Sequence, residues 1–204
     1  NVLETLNKRK QDEGKTWCVF NHNMLDKPTD DKFDTIIFSS ILHEIYSYTE
    51  TKKGRYNKES VKRALVNSFK SLNKGGRIII RDGIRASEDK RVLIRLKDFN
   101  AILWFKQFIK DFKAYENMNN FISRIDEDTW EVSMDYAREV IFHMSWTLAN
   151  RDTSKVFNDN YQYEKEEAFG YYTIDEYKNT IEEIGGTVIK ADSYLESGYY
   201  EHTM

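Results

Sequence analysis

A chain of 204 residues with a formal charge of −3, 14% aromatic residues and a single proline can build one domain around an apolar core, and disorder does not dominate it. The near balance of charge weighs against a nonspecific nucleic-acid binder, whose affinity comes from a basic face. No stretch approaches the roughly 18 uninterrupted apolar residues of a membrane span. The one cysteine, Cys18, excludes an internal disulfide framework, fits a reducing cytoplasm and reads as a buried strand residue.

Val2, Leu3 and Leu6 suggest the end of a helix that closes near Gly14. Thr16–Phe20 is rich in aromatic and β-branched residues and predicts a strand. Phe33–Phe38 predicts a second, and its almost continuous apolar run suits a parallel strand buried on both faces. Val61, Ala64, Leu65, Ser68 and Leu72 share one face of a helix over about Lys58–Leu72, capped by Asn57 and ended by Asn73-Lys74-Gly75-Gly76. Arg77–Arg81 follows as a strand, and strand–helix–strand implies a parallel crossover. Arg91–Leu96 is ambiguous between strand and helix. Ile102, Phe105, Ile109 and Phe112 mark one helix, and Ala137, Val140, Ile141, Met144 and Leu148 another. Asn150 to Glu167 is polar and reads as an exposed connection. Thr173-Ile174-Asp175-Glu176 is a capping box opening a helix that Gly185-Gly186 stops, and Thr187–Ala191 predicts a last strand. The pattern is an α/β layer architecture.

Three segments, in order, resemble the class I S-adenosylmethionine-dependent methyltransferase family. Lys32-Phe33-Asp34-Thr35-Ile36-Ile37-Phe38-Ser39-Ser40-Ile41-Leu42-His43-Glu44-Ile45 is similar to the family's fourth strand and the loop after it. Ser68–Asp82, with Gly75-Gly76 before Arg77-Ile78-Ile79-Ile80-Arg81, resembles its helix, double-glycine and fifth-strand block, with Asn73 and Lys74 where lysine and proline are usual. Tyr172–Gly186 followed by Val188–Ala191 resembles the last helix and sixth strand. The resemblance implies a Rossmann-like, mostly parallel sheet spanning residues 1–204 as a single domain, with a helical insertion or lid at 84–170. It also implies S-adenosyl-L-methionine as cofactor, lying across the carboxyl ends of the strands. The family's first two strands, with their glycine loop and ribose-binding carboxylate, have no counterpart here, so the natural protein is expected to be longer by several tens of residues.

On this resemblance Asn23 and Met24 are expected beside the adenine, with Asp26 as an acidic alternative, and Ser39, Ser40 and Ile41 beside the methionine part. His43 is a candidate general base for an acceptor losing a proton, or a residue that shapes the pocket, and Glu44 beside it is a candidate substrate-binding residue. Arg81 and Arg85 are candidates for an acidic substrate, or ion-pair partners of Asp82 or Glu88. Trp104, Trp146 and Tyr199 are candidates to cover a planar acceptor, within a larger set of Trp130, Tyr161, Tyr163, Tyr171 and Tyr172. No zinc-ligand spacing, nucleophile elbow or phosphate loop is present. A small-molecule acceptor is favoured. An RNA acceptor would need a basic groove from residues such as Lys52, Lys53, Arg55, Lys58, Arg81, Arg85, Lys90, Arg91, Arg95 and Lys97. A catalytically silent scaffold of the same fold is the non-enzyme alternative.

Overall fold

The computed structural model describes residues 2–19, 21–87, 89–115, 120–148 and 156–195. Its architecture is α/β, built from a two-stranded parallel sheet and a three-stranded antiparallel one. The first helix, α1 (Val2–Asp12), ends before Gly14, which has φ +60°. Strand β1 (Phe33–Ser39) leads through two helices, α2 (Leu42–Tyr48) and α3 (Lys58–Lys70), into β2 (Leu72–Arg81), which lies parallel to β1. The two expected strands are thus direct neighbours, pairing Ile36 with Ile78 and Phe38 with Ile80.

Helix α3 forms as its pattern predicts. The Asn57 side chain accepts from the Glu59 amide, and Val61, Ala64, Leu65 and Ser68 are buried. Leu72 belongs to the following strand instead. The double glycine lies inside β2, where the register slips between Phe33 and Thr35; Gly75 takes φ +79°, a conformation that costs glycine nothing.

One face of the β1–β2 pair is covered. Ile36, Phe38, Ile78 and Ile80 pack with α3, with Tyr177 and Ile181 of α7 (Ile174–Glu183) and with Ile184 just after it. The capping box that opens α7 is complete, with Thr173 and Glu176 bonding each other's backbone amides. The opposite face presents Ile37 and Ile79, register partners that are 64% and 50% exposed. The expected burial of β1 on both faces is therefore not met.

Thr16–Val19 and Thr187–Ala191 form no strand among the described residues; Phe20 lies outside them. Cys18 is exposed, and Ile189 is 85% exposed. Both segments have the apolar composition of strands, but no described ladder partner completes their backbone hydrogen bonds.

The insertion is not simply helical. Strands β3 (Arg91–Arg95), β4 (Ile122–Arg124) and β5 (Thr129–Ser133) form an antiparallel sheet with β5 in the centre. Helices α4 (Phe99–Asp111), α5 (Met134–Leu148) and α6 (Asp159–Glu164) accompany it. Trp104, Phe105, Phe108, Phe112, Trp130, Val132, Tyr136, Val140 and Tyr161 form a second core there. No helix of the described residues is long and apolar enough to cross a membrane.

The return from α6 to α7 is a buried strap. Residues Glu167 to Tyr172 are all buried, unlike the exposed connection expected to run as far as Glu167. Ala168 N–H donates to Ser47 Oγ (2.8 Å), Phe169 and Gly170 N–H to the Glu139 carboxylate (3.1 and 2.6 Å), and Arg85 N–H to the Tyr172 carbonyl (2.7 Å). A Cβ on Gly83 would stand 2.5 Å from the Phe169 carbonyl oxygen, so only glycine lets the end of β2 approach the strap this closely.

Candidate functional site

Parallel strands place their carboxyl ends side by side, and both ends here run directly into polar residues. Ser39 ends β1, and Ser40 turns the chain with φ +52°; its amide donates to the Arg81 carbonyl at 2.8 Å. Arg81 in turn donates to Ser40 Oγ at 3.3 Å. Ser39, Ser40, Ile41 and Arg81 are exposed at this edge.

Asp82, immediately after β2, organises the edge. Its Oδ2 accepts the Leu42 and His43 amides (2.8 and 3.1 Å), the first orphan donors of α2, from a residue 40 positions away in sequence for Leu42. Its Oδ1 accepts Gly83 N–H at 2.9 Å and His43 Nδ1–H at 2.6 Å. Every acceptor direction of a carboxylate is thereby used, and its side chain is only 1% exposed.

The other ring nitrogen of His43, Nε2, lies 3.4 Å from Glu167 Oε2, and the ring stands 4.7 Å from that of Phe169. Burial alone would lower the imidazole pKa, but hydrogen bonds and charge from Asp82 and then Glu167 outweigh it and hold it at about 10. His43 is therefore an imidazolium at neutral pH, donating from Nδ1 to Asp82 with the Glu167 carboxylate 3.4 Å from Nε2. A general base needs a free lone pair, so this geometry makes His43 a positioning residue that ties α2, β2 and the strap together.

Glu167 also accepts the Tyr48 hydroxyl at 3.0 Å, and its own pKa is pushed down because His43 overcomes the effect of burial. Its neighbours move the other way. Burial, then Glu167, raises Glu164 to about 7, and burial with the charge of Glu167 raises Glu44. Behind Phe169 lies a second buried pair. Burial lifts Glu139 to about 7 against the two strap amides that bond it. Burial pushes His143 down to about 4, and its Nε2 faces the Glu164 and Glu167 carbonyls at 3.0 and 3.1 Å.

The remaining candidates are scattered. Asn23 uses its side-chain oxygen on the Leu25 amide (3.0 Å), and the Met24 carbonyl is held by Asn67 Nδ2 (2.6 Å). Asn67 lies one turn before Ser71, whose carbonyl receives Phe33 N–H at the amino end of β1. The Asn23–Met24 turn is thus tethered at the opposite end of the strand from Ser39 and is not brought together with the serines. Asp26 is exposed in the same turn.

Among the described residues Arg85 faces Asp135 rather than the suggested Asp82. Its Nε lies 3.4 Å from Asp135 Oδ2 on α5. Trp104 is fully buried, stacked on Phe108 at 4.8 Å, and Trp130, Tyr161, Tyr171 and Tyr172 are also buried, so these rings serve packing. Trp146 and Tyr163 are 53% and 73% exposed. Tyr199 and Glu88 lie outside the described residues.

Glu167, Glu139 and Asp135 carried no sequence signal, because their partners are distant along the chain. Asp82 carried one: an acid directly after an apolar parallel strand stands where helix amino ends gather. No cluster of metal-binding side chains exists among the described residues. No family model, curated protein or solved structure matches this chain.

Proposed function

We propose that the chain is part of a Rossmann-like S-adenosylmethionine-dependent methyltransferase acting on a small molecule. The observation that carries this reading is the Ser39–Ser40–Ile41 turn. It is exposed at the carboxyl end of a parallel strand pair, the edge where open α/β sheets bind ligands, and Asp82 fixes it through the first turn of α2.

The residues at this edge fit the amino-acid end of the cofactor. Ser39 and Ser40 offer hydroxyls and carbonyls, and the partly exposed Ile41 offers an apolar side for methylene groups. Asn23 and Met24, held at the other end of β1, are not part of this cradle as the chain stands. When bound, S-adenosylmethionine would supply a methyl group on an already activated sulfonium. The chain's own residues therefore have to bind, orient and exclude water, and need not supply a nucleophile. Asp82 and His43 meet that demand by rigidity, since they fix the backbone of α2 from both sides.

A macromolecular acceptor is less well supported. Of the basic residues that would line a nucleic-acid groove, Arg55 pairs with Glu166, Lys58 with Glu176, Arg85 with Asp135, Arg91 with Glu131 and Arg95 with Asp128. Those charges are already partly compensated.

Titration of the chain with S-adenosylhomocysteine, followed by amide NMR, tests the proposal. Saturable shifts at Ser39–Ile45 and Arg81–Gly83 are expected. Shifts confined to other surfaces, or none with the fold intact, would leave a scaffold role as the better reading.

A further inference from the structure

Helix α4 of the insertion has a use for only one of its faces in the core. Trp104, Phe105 and Phe108 are buried there, against the rings of Tyr161, Trp130 and Tyr136. The exposed residues of the helix are Phe99, Leu103, Lys106 and Lys110, and Lys113, also exposed, follows just beyond its end. Steps of four, three and four residues put the first four in one row along the helix. Phe99 is 74% exposed and Leu103 42%, large apolar surface left in water on a helix that is otherwise packed.

No acid interrupts the row. Asp98, before the helix, accepts the Ala101 amide as its cap (2.9 Å), and Asp111 accepts the Tyr161 hydroxyl and Gln107 Nε2 (2.9 Å each). Arg91 and Arg95 of β3 are paired with Glu131 and Asp128, whereas Lys97, Lys106, Lys110 and Lys113 enter no ion pair among the described residues. The Asp128 carbonyl takes the Leu96 amide (2.9 Å), so the β4–β5 turn, with exposed Ile125 and the acids Asp126 and Glu127, lies towards the amino end of α4. Lys106 and Lys110 stand about 10 and 16 Å farther along the axis than Phe99. The row is thus apolar at one end and basic at the other.

We infer that this outer face of α4 docks on an anionic membrane surface, with Phe99 and Leu103 entering the headgroup boundary and Lys106, Lys110 and Lys113 meeting lipid phosphates and carboxylates. An apolar pair alone would suit any hydrophobic partner, and lysines alone any polyanion. The two in one row call for a partner that offers apolar depth and negative charge in one plane, which an anionic bilayer does. A single-stranded nucleic acid would stack on Phe99 but leave Leu103 without a contact. At 13 residues, about 20 Å, the helix is too short to cross the roughly 30 Å apolar layer, so it lies along the surface. It is already folded and held by the core behind it, so contact costs no helix ordering. The docking face is independent of the methyl-transfer reading.

The test is co-sedimentation of the chain with vesicles of phosphatidylcholine alone and of phosphatidylcholine and phosphatidylserine in equal parts. Binding is expected to the second and not the first, and to weaken as salt is raised from about 0.05 to 0.5 M. Each lysine near an anionic surface adds roughly fivefold to partitioning, so Lys106→Gln with Lys110→Gln should weaken binding roughly 30-fold. Phe99→Ser should weaken it at least about fivefold. Lys52→Gln with Lys53→Gln, the same change of charge at another exposed site, should leave it within about twofold. All of these side chains are exposed, and circular dichroism of each variant confirms its fold. Equal binding to both vesicles, no binding to either, or an equal loss in the Lys52 and Lys53 variant would overturn the proposal. Salt-sensitive binding of oligouridine that depends on Phe99, without vesicle binding, would overturn it in favour of a nucleic acid.

Discussion

Replacing Asp82 by Asn is the sharpest perturbation of the site, because it keeps the shape and removes the charge. The Asn side chain still has one acceptor oxygen, but its amide nitrogen must face either the Leu42 and His43 amides or the Gly83 amide and His43 Nδ1. Two of the four hydrogen bonds are lost whichever way it turns, and the 2.6 Å ion pair with His43 disappears. Breaking a buried ion pair costs about 3–5 kcal/mol, and losing a helix cap about 1 kcal/mol. At roughly 2–4 °C per kcal/mol for a chain of this size, the melting temperature should fall by about 10 °C or more. The pH dependence gives a second reading. The folded pKa of His43, about 10, lies above its unfolded value, so its contribution to stability is complete below pH 6.5 and is lost as pH rises to about 10. Through that window wild-type stability should fall by up to about 1.4 kcal/mol per pH unit from this one proton, and Asp82→Asn should flatten the decline. Thermal and urea denaturation at several pH values, with the His43 ring proton followed by NMR, measure both effects. A loss under about 1 kcal/mol, or a wild-type His43 that titrates like an exposed imidazole, would refute the argument.

The strap gives two further predictions. Glu139 has a folded pKa of about 7, so its contribution is complete below the unfolded carboxyl value and is lost as pH rises through 7. Glu139→Gln should therefore change the slope of stability between about pH 4.5 and 7 by up to about 1.4 kcal/mol per unit relative to wild type. Parallel melting curves for the two proteins would count against the buried acid. Gly83→Ala forces a methyl group against the Phe169 backbone carbonyl and should cost about 1–3 kcal/mol by equilibrium denaturation. An unchanged midpoint would mean that the strap yields freely there.

The elements read correctly from the sequence are those whose signal is local. Helix α3 and the capping box of α7 are written in residues three or four apart, and the β1–β2 pair in two apolar runs joined by a helix. Thr16–Phe20 and Thr187–Ala191 have equally good composition, yet a strand exists only when a neighbour completes its ladder, and composition cannot report a neighbour. The antiparallel sheet of the insertion escaped for another reason. Its strands are three to five residues long, too short to show a period, and Arg91–Arg95 was ambiguous for that cause. At the site, Ser39–Ile41 and His43 were legible from position. The role of His43 was not, because it is set by Asp82, 39 residues on, and by Glu167, still farther away.

The strap between α6 and α7 bears on how the molecule comes apart. The described residues hold two sheets and two hydrophobic clusters, an arrangement that in many proteins melts in two steps. Here Tyr46 packs in both clusters, and the strap passes between them with its amides committed to Glu139 on one side and Ser47 on the other. Neither cluster can open without breaking those bonds and exposing Phe169, which sits between the rings of His43 and His143. The two halves therefore belong to one cooperative unit. Calorimetry should show a single transition, and the amides of Ala168, Phe169 and Gly170 should exchange with solvent only through global unfolding.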